Sequence, residues 1–521
     1  MPLCNLKSTV LTAALALLAG TPLANAAQIV WTGVAGDNNW NTASNWNLGR
    51  VPNTGDDAVC NLPPTSGEIQ VKNFAGCNSL VTSQRLVIAG GSLRVNTSAS
   101  LNNGLLMYNP GGQYSVLDNR GSITVQGATS LFAGAIRQQP GAGIEFTSAC
   151  SVTMFDPNAA NGMSFEGGSI TNNGSFEVRA PQFFMGNYYV NDGQTVFANG
   201  SSGNMRFIAA TAVNDHSYVN NGVLIHGGSS IFINEGNVQF LAAGASRTRP
   251  DISVWNYGAG FIEVDSGTLT IDNTVNVDAG SMLNGASWYV HNSGVLSFGR
   301  TLYGIAANTN AYIFNAGSAI SGLTTATDIR GSLFIDNGAS VTIAQTVNGS
   351  LTNRGFISIG EGQLYTTGSY VQYPEGTLRR SVSNAGAMTN PAIISDNRPI
   401  LGGTLIVDFY DTSVIQPGAG FPMVVGTCCT TGAFDTVTVN PVNGSSASMN
   451  YSNGQAVLRV PVACVGDFNN DLVVNTADLV IFLGRFGDFG DAGITGDLNY
   501  DGSVNTADLV TFLGRFGSSC L

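Results

Sequence analysis

Oxygen-bearing side chains recur at fixed intervals near the C-terminal end. Asp467, Asn469, Asp471, Asn475 and Asp478 occupy positions 1, 3, 5, 9 and 12 of a twelve-residue run, with Val473 at position 7. Asp497, Asn499, Asp501, Asn505 and Asp508 repeat the run 30 residues later, with Ser503 at position 7. Carboxylates, amide oxygens and one backbone carbonyl at those positions suit a hard cation that takes six to eight oxygens, as calcium does. Two copies at one spacing are hard to obtain by chance, so two Ca2+ ions are expected. The plainer alternative is an acidic turn repeat that binds no metal.

A helix must follow each run. Leu479, Phe482, Leu483 and Phe486 fall at i, i+3, i+4 and i+7, one apolar stripe, and Leu509, Phe512, Leu513 and Phe516 repeat it. Gly487 and Gly517 stand where a helix C-cap glycine belongs. The residues before Asp467 are too few, and too rich in Gly and Val, for an entering helix. Each unit is therefore a loop with one exit helix. Across residues 466–517 this arrangement resembles a type I dockerin. The resemblance implies two bound calcium ions and a protein partner of the cohesin type. By position, Asp467, Asn469, Asp471, Val473, Asn475 and Asp478 would hold one ion, and Asp497, Asn499, Asp501, Ser503, Asn505 and Asp508 the other. It also implies that Thr476, Ala477, Thr506 and Ala507 face the partner, and their identity in the two repeats would permit two pseudo-symmetric binding modes. Leu472 replaces the glycine expected at position 6 of the first loop, which Gly502 keeps in the second, so the first site should be the weaker. Leu483-Gly484 and Leu513-Gly514 stand where cellulosomal dockerins often carry polar or basic contact residues, which argues against a cellulosomal cohesin.

The long segment before these repeats has almost no helical periodicity. Gly91-Ser-Leu-Arg-Val-Asn, Gly121-Ser-Ile-Thr-Val-Gln, Gly174-Ser-Phe-Glu-Val, Gly267-Thr-Leu-Thr-Ile-Asp and Gly331-Ser-Leu-Phe-Ile-Asp share one grammar. Each is a glycine turn followed by a strand of period two. Recurrence at about 20 residues points to the turns of a right-handed parallel β-helix, a β-solenoid. Asn suits its tight corners because it tolerates left-handed backbone. Trp31, Trp40 and Trp46, with Val51-Pro52-Asn53 and Asp56-Asp57-Ala58, resemble the opening of secreted bacterial β-helix proteins, autotransporter passengers among them. Gly402–Asp408, Gly432–Asp435 and Val457–Val460 resemble the end of the same class. The expected organisation is a signal peptide over 1–26, an N-terminal β cap over 27–80, a β-solenoid over 81–462 and the dockerin-like domain over 463–521. β-Sandwich domains are the alternative, disfavoured by the lack of regular hairpin spacing.

Composition narrows the setting. Lys7, the apolar run Val10–Leu18 and the Ala24-Asn25-Ala26 site read as a secretory signal peptide. No later stretch is long and apolar enough for a transmembrane helix. The formal net charge of −13 and only two lysines, Lys7 and Lys72, argue against nucleic acid and against anionic membranes. Of eight cysteines, Cys4 lies within the signal segment. Export makes disulfides plausible for the rest. Cys464 and Cys520 bracket the calcium repeats and are expected to clasp the domain, with Cys60–Cys77 as a second pairing. Cys428 and Cys429 either bridge each other or pair elsewhere, and the odd count leaves a thiol such as Cys150 free.

No catalytic motif emerges. His216, His226 and His291 lie in no metal-ligand spacing. Asp251, Glu263, Asp265 and Asp272 are candidates for a glycosidase pair, and solvated strand positions are their plainer reading. Arg379-Arg380 reads as a solenoid corner. Tyr188-Tyr189, Trp255 with Tyr257, and Trp288-Tyr289 would serve either as a sugar-stacking face or as filling between turns. Three functions are therefore weighed: a secreted structural or adhesive solenoid docked through calcium repeats, an extracellular polysaccharide hydrolase or lyase, and a binding protein whose repeats only cap its C-terminus. The first is expected. The mature protein should begin at Ala27, and N-terminal sequencing of secreted material checks this: an intact Met1 on the secreted chain would remove the signal peptide.

Overall fold

The computed structural model describes residues 26–518 apart from 153–162, 180–181, 186–193, 210–211, 216, 221–222, 227–229, 242, 249, 251, 344–348, 384–389, 411–419, 441–447, 460–464, 470, 472, 490–495 and 500–502. The signal segment, Tyr188, Tyr189, His216, Asp251, Cys464, Leu472, Asp501, Gly502 and Cys520 thus lie outside the described residues. The chain is mostly β, and its strands run in long parallel sheets, the longest continuous ladder holding 16 strands from Ile69–Val71 to Thr436–Asn440. Most strands pair with the one about three places on. Gly134–Gln138, Gly143–Phe146 and Cys150–Val152 lie in turn on Met163–Glu166, Ser169–Asn172 and Ser175–Val178. This is a solenoid-like class, and its parallel pairing rules out an antiparallel sandwich for these residues.

Successive turns are less regular than the expected period. Leu86 lies over Ile69, 17 positions on, whereas Val238 lies over Met205, 33 positions on. The second interval carries an antiparallel hairpin, Ser217–Asn220 with Val223–His226, outside the parallel ladders. The strands that begin just after Gly91, Gly121, Gly174, Gly267 and Gly331 all open with alternating outward and buried positions. Period two is what a sheet with one buried face demands. Inward residues then stack turn on turn: Val264, Val290, Ile313, Ile335 and Ile359 form one fully buried column. Beside it Trp288 lies on Ala311, a large residue offset by a small one.

The next member of the aliphatic column is Arg380, over Ile359 and under Val407. It is buried, and its guanidinium donates to the Gly362 and Asn390 carbonyls at 3.0 and 3.2 Å. Burial pulls its pKa down to about 10. Arg379 points outward to Asp408 at 2.5 Å. The expected solenoid corner is therefore a strand interior, and alternation sends the two arginines to opposite faces. Cys60, Cys77 and Cys150 are buried free thiols, so the expected Cys60–Cys77 bridge is not formed. Trp31, Trp40 and Trp46 pack edge to face at 5.0 and 4.8 Å and are buried.

The corners are closed by buried amides. Asn172, Asn199, Asn234 and Asn256 end successive strands in register. Each Nδ2 donates to the Oδ1 of the next, at 2.7, 2.9 and 2.8 Å. Asn199 and Asn234 also donate to the backbone carbonyls of Asn237 and Phe261. These asparagines work as buried donors, whereas left-handed backbone is reserved for turn residues such as Asn292, Asn315 and Asn337. Gly236 follows one such corner, where a Cβ would lie 2.3 Å from the Gly203 carbonyl oxygen. Asn234→Ala should destabilise the solenoid by about 1–3 kcal/mol, because it strips two neighbours of their partner. A denaturant midpoint that does not move would show that the ladder contributes nothing.

Candidate metal centre

Each calcium-type loop is held by the carboxylate that ends it. Asp478 is fully buried; its Oδ1 accepts from the Phe468 and Asn469 N–H groups at 2.7 and 2.9 Å, and its Oδ2 from the Asn475 N–H at 3.0 Å. Asp508 repeats this with Leu498, Asn499 and Asn505 at 2.7, 3.1 and 2.9 Å. A carboxylate offers roughly four acceptor sites. Three are taken, so a cation at either loop would receive one oxygen from this residue rather than two.

The helices α1 (Thr476–Leu483) and α2 (Thr506–Leu513) start from these loops. Asn475 and Asn505 are their N-caps, each Oδ1 accepting from the Ala477 or Ala507 N–H at 2.7 Å. Asn475 Nδ2 meanwhile donates to Asp471 Oδ2 and the Val473 carbonyl, at 3.1 and 3.0 Å. Position 9 thus serves the helix first and would reach an ion through its remaining lone pair or across a water. Asn469 accepts from the Asp471 N–H with Oδ1 and donates to Asp471 Oδ2, both at 2.9 Å. The donors on Asp471, Asn469 foremost, hold its carboxyl below the usual carboxylate range.

The residues of the first loop fit a cation. Asp467, Asp471 and Asp478 each present a carboxylate oxygen, and the three lie within 4.8 Å of one another. Asn469 and Val473 flank the same loop and are exposed. In the second loop Asp497 and Asp508 are buried, while Ser503 and Asn505 are half-buried.

The two repeats interlock, a feature not evident from either stripe alone. Gly487, after α1, donates to the Val504 carbonyl of the second loop at 2.8 Å, and Gly517, after α2, donates to the Val474 carbonyl of the first at 2.7 Å. Both glycines have positive φ, but the helices end earlier, at Gly484 and Gly514. The expected C-caps are therefore the turns that carry the chain across to the other repeat. Phe468, Phe482 and Phe512 stack mutually at 5.6–6.1 Å in the shared core. Leu483 and Phe486 are exposed, so only part of the expected stripe is buried. The repeated Val-Asn at positions 8 and 9 of each loop was the available signal for the crossing.

The solenoid's outer face carries a second constellation. Glu263 and Asp265 flank His291, whose Nδ1 lies 3.0 Å from Asp265 and whose Nε2 contacts Glu263. Gln239 donates to Glu263, and Asn292 donates to Asp265 at 2.6 Å. Asp272 is paired with Arg247 at 2.6 Å. These carboxylates are engaged with neighbours rather than set across a cleft. Above Glu263, the rings of Tyr289, Tyr312 and Phe334 stack face to face at 4.1 and 4.3 Å. Burial, the largest cause, together with the Tyr312 contact, pushes the Tyr289 phenol up to about 12. Ring faces consumed in such a ladder are closed to a sugar. Trp288 is buried in the core, while Trp255 and Tyr257 remain exposed.

Asp467→Ala should remove one calcium ion and Asp497→Ala the other in titration calorimetry, the first being the weaker; unchanged stoichiometry would refute the ligand assignment. Calcium affinity should also fall on acidification, since protons compete for the carboxylates. The lowered Asp471 pKa stabilises the loop above the ordinary value of 3.8, and that contribution is lost as pH falls through the folded-state value. The chain matches no known family, and no curated protein matches it.

Proposed function

We propose that this is an exported, right-handed parallel β-helix of structural or adhesive role, held to a cohesin-type protein partner by a dockerin-like module that binds two Ca2+ ions. The observation that carries this reading is the duplicated C-terminal unit, in which both loops repeat one hydrogen-bond pattern and both helices leave apolar side chains in solvent. Val480 and Leu483 are 70% and 53% exposed, and Val510 and Leu513 are 71% and 52% exposed. They stand within about a turn or two of Thr476 and Ala477, or of Thr506 and Ala507, which are also exposed. Apolar surface of this kind marks an interaction site when it is contiguous. The same four residue positions on each helix would let a partner take either copy. Export rests on the signal-peptide pattern, and no helix among the described residues is long and apolar enough to cross a membrane.

A polysaccharide-binding or polysaccharide-cleaving solenoid is the second reading. Exposed Trp255 and Tyr257, 5.6 Å apart, favour it. The engagement of Glu263, Asp265 and Asp272 with neighbouring side chains weighs against hydrolysis.

The test is capture from the native secretome with the full-length mature protein, run in calcium and in chelator. Calcium-dependent recovery of a cohesin-like β-sandwich protein, lost on Val480→Asp with Val510→Asp, is the expected outcome. Two bound calcium ions without any partner would reduce the repeats to a structural terminus. Chelation should also unfold 463–521 while leaving the solenoid intact, because metal binding and folding are coupled in small sites. Loss of helical dichroism without loss of the β signal is the readout.

A further inference from the structure

Five described cysteines divide sharply by environment. Cys60, Cys77 and Cys150 are buried, and burial drives their thiols well away from ionisation, Cys77 to about 12. Cys428 and Cys429 are exposed and adjacent, on the turn between the strands Gly420–Gly426 and Thr431–Gly432. Backbone on both sides of the pair is pinned. Gly426 N–H donates to the Gly454 carbonyl at 2.8 Å, Thr431 N–H to the Pro399 carbonyl at 2.9 Å, and Thr427 Oγ1 to the Asp396 carbonyl at 2.6 Å. Gly454 leaves no room there for a side chain, since a Cβ would lie 2.2 Å from the Cys428 carbonyl oxygen. Arg398 is the nearby positive charge.

We propose that Cys428 and Cys429 form a thiol–disulfide exchange site that reacts with an external disulfide. Thiolates are the reactive species, and access decides which of them react. The Cys429 thiolate attacks one sulfur of the external disulfide; a mixed disulfide forms, the external S–S bond breaks, and one thiolate leaves. Cys428 then gives its proton to solvent and attacks the Cys429 sulfur. The Cys428–Cys429 bond forms and the second thiolate leaves. The protein dithiol is oxidised by two electrons, and the external disulfide is reduced to two thiols. The site is independent of the calcium loops and of the partner proposed above.

Oxidised glutathione added to the folded, mildly reduced full-length protein, followed by peptide mass mapping, tests this. The peptide holding both cysteines should lose two hydrogens and retain no glutathione, at least about tenfold faster than Cys60, Cys77 or Cys150 react, as their exposure predicts. Cys428→Ser should instead halt with one glutathione on Cys429. A wild-type peptide that stays reduced, or that keeps glutathione on both sulfurs, would overturn the proposal. So would reaction at the buried thiols as fast as at the exposed pair.

Discussion

A parallel stack has one demanding requirement: where each strand ends and the chain turns, the backbone and side-chain polar groups are buried yet leave the ladder. The asparagine column Asn172–Asn199–Asn234–Asn256 meets it. An amide carries both donors and an acceptor, so each member can serve the next turn and a backbone carbonyl at once. Unmet polar groups there would each cost about 1–3 kcal/mol. With the corners settled, register follows, and register aligns the aliphatic columns inside and the aromatic ladder outside. The Arg380 guanidinium, buried in the same column as isoleucines, is tolerated on the same terms, through carbonyls of neighbouring segments.

The C-terminal unit solves a similar problem with carboxylates. Asp478 and Asp508 collect three backbone N–H groups apiece and so shape each loop by hydrogen bonding. The one acceptor site left on Oδ2 would face a cation. Loop shape and metal affinity are thereby tied to one residue, and the crossing of Gly487 to Val504 and Gly517 to Val474 ties each loop to the other repeat's helix. Loss of order at one site should be felt at the other.

The display role proposed above would draw on this division of labour. Among the described residues, ion pairs such as Arg94–Asp118, Arg137–Glu166 and Arg379–Asp408 run between turns and use up charge in stacking. Apolar side chains are left exposed instead on the two short helices.

Much of the architecture was legible in residue order. Gly-Ser-Leu-x-Val runs announce strands because period two is a local property of extended backbone. Asp-x-Asn-x-Asp spacing announces the acidic cluster of Asp467, Asp471 and Asp478 because those residues are close in sequence. What the order of residues could not convey depends on partners far along the chain. The expected Cys60–Cys77 bridge, the corner placement of Arg379-Arg380 and the C-caps at Gly487 and Gly517 all failed for that reason. Each was judged from neighbours in sequence, whereas the outcome was decided by the turn above or by the other repeat. Glu263, Asp265 and His291 meet, and Tyr289, Tyr312 and Phe334 stack, only because parallel register brings residues about two dozen positions apart to the roughly 4.8 Å spacing of adjacent strands.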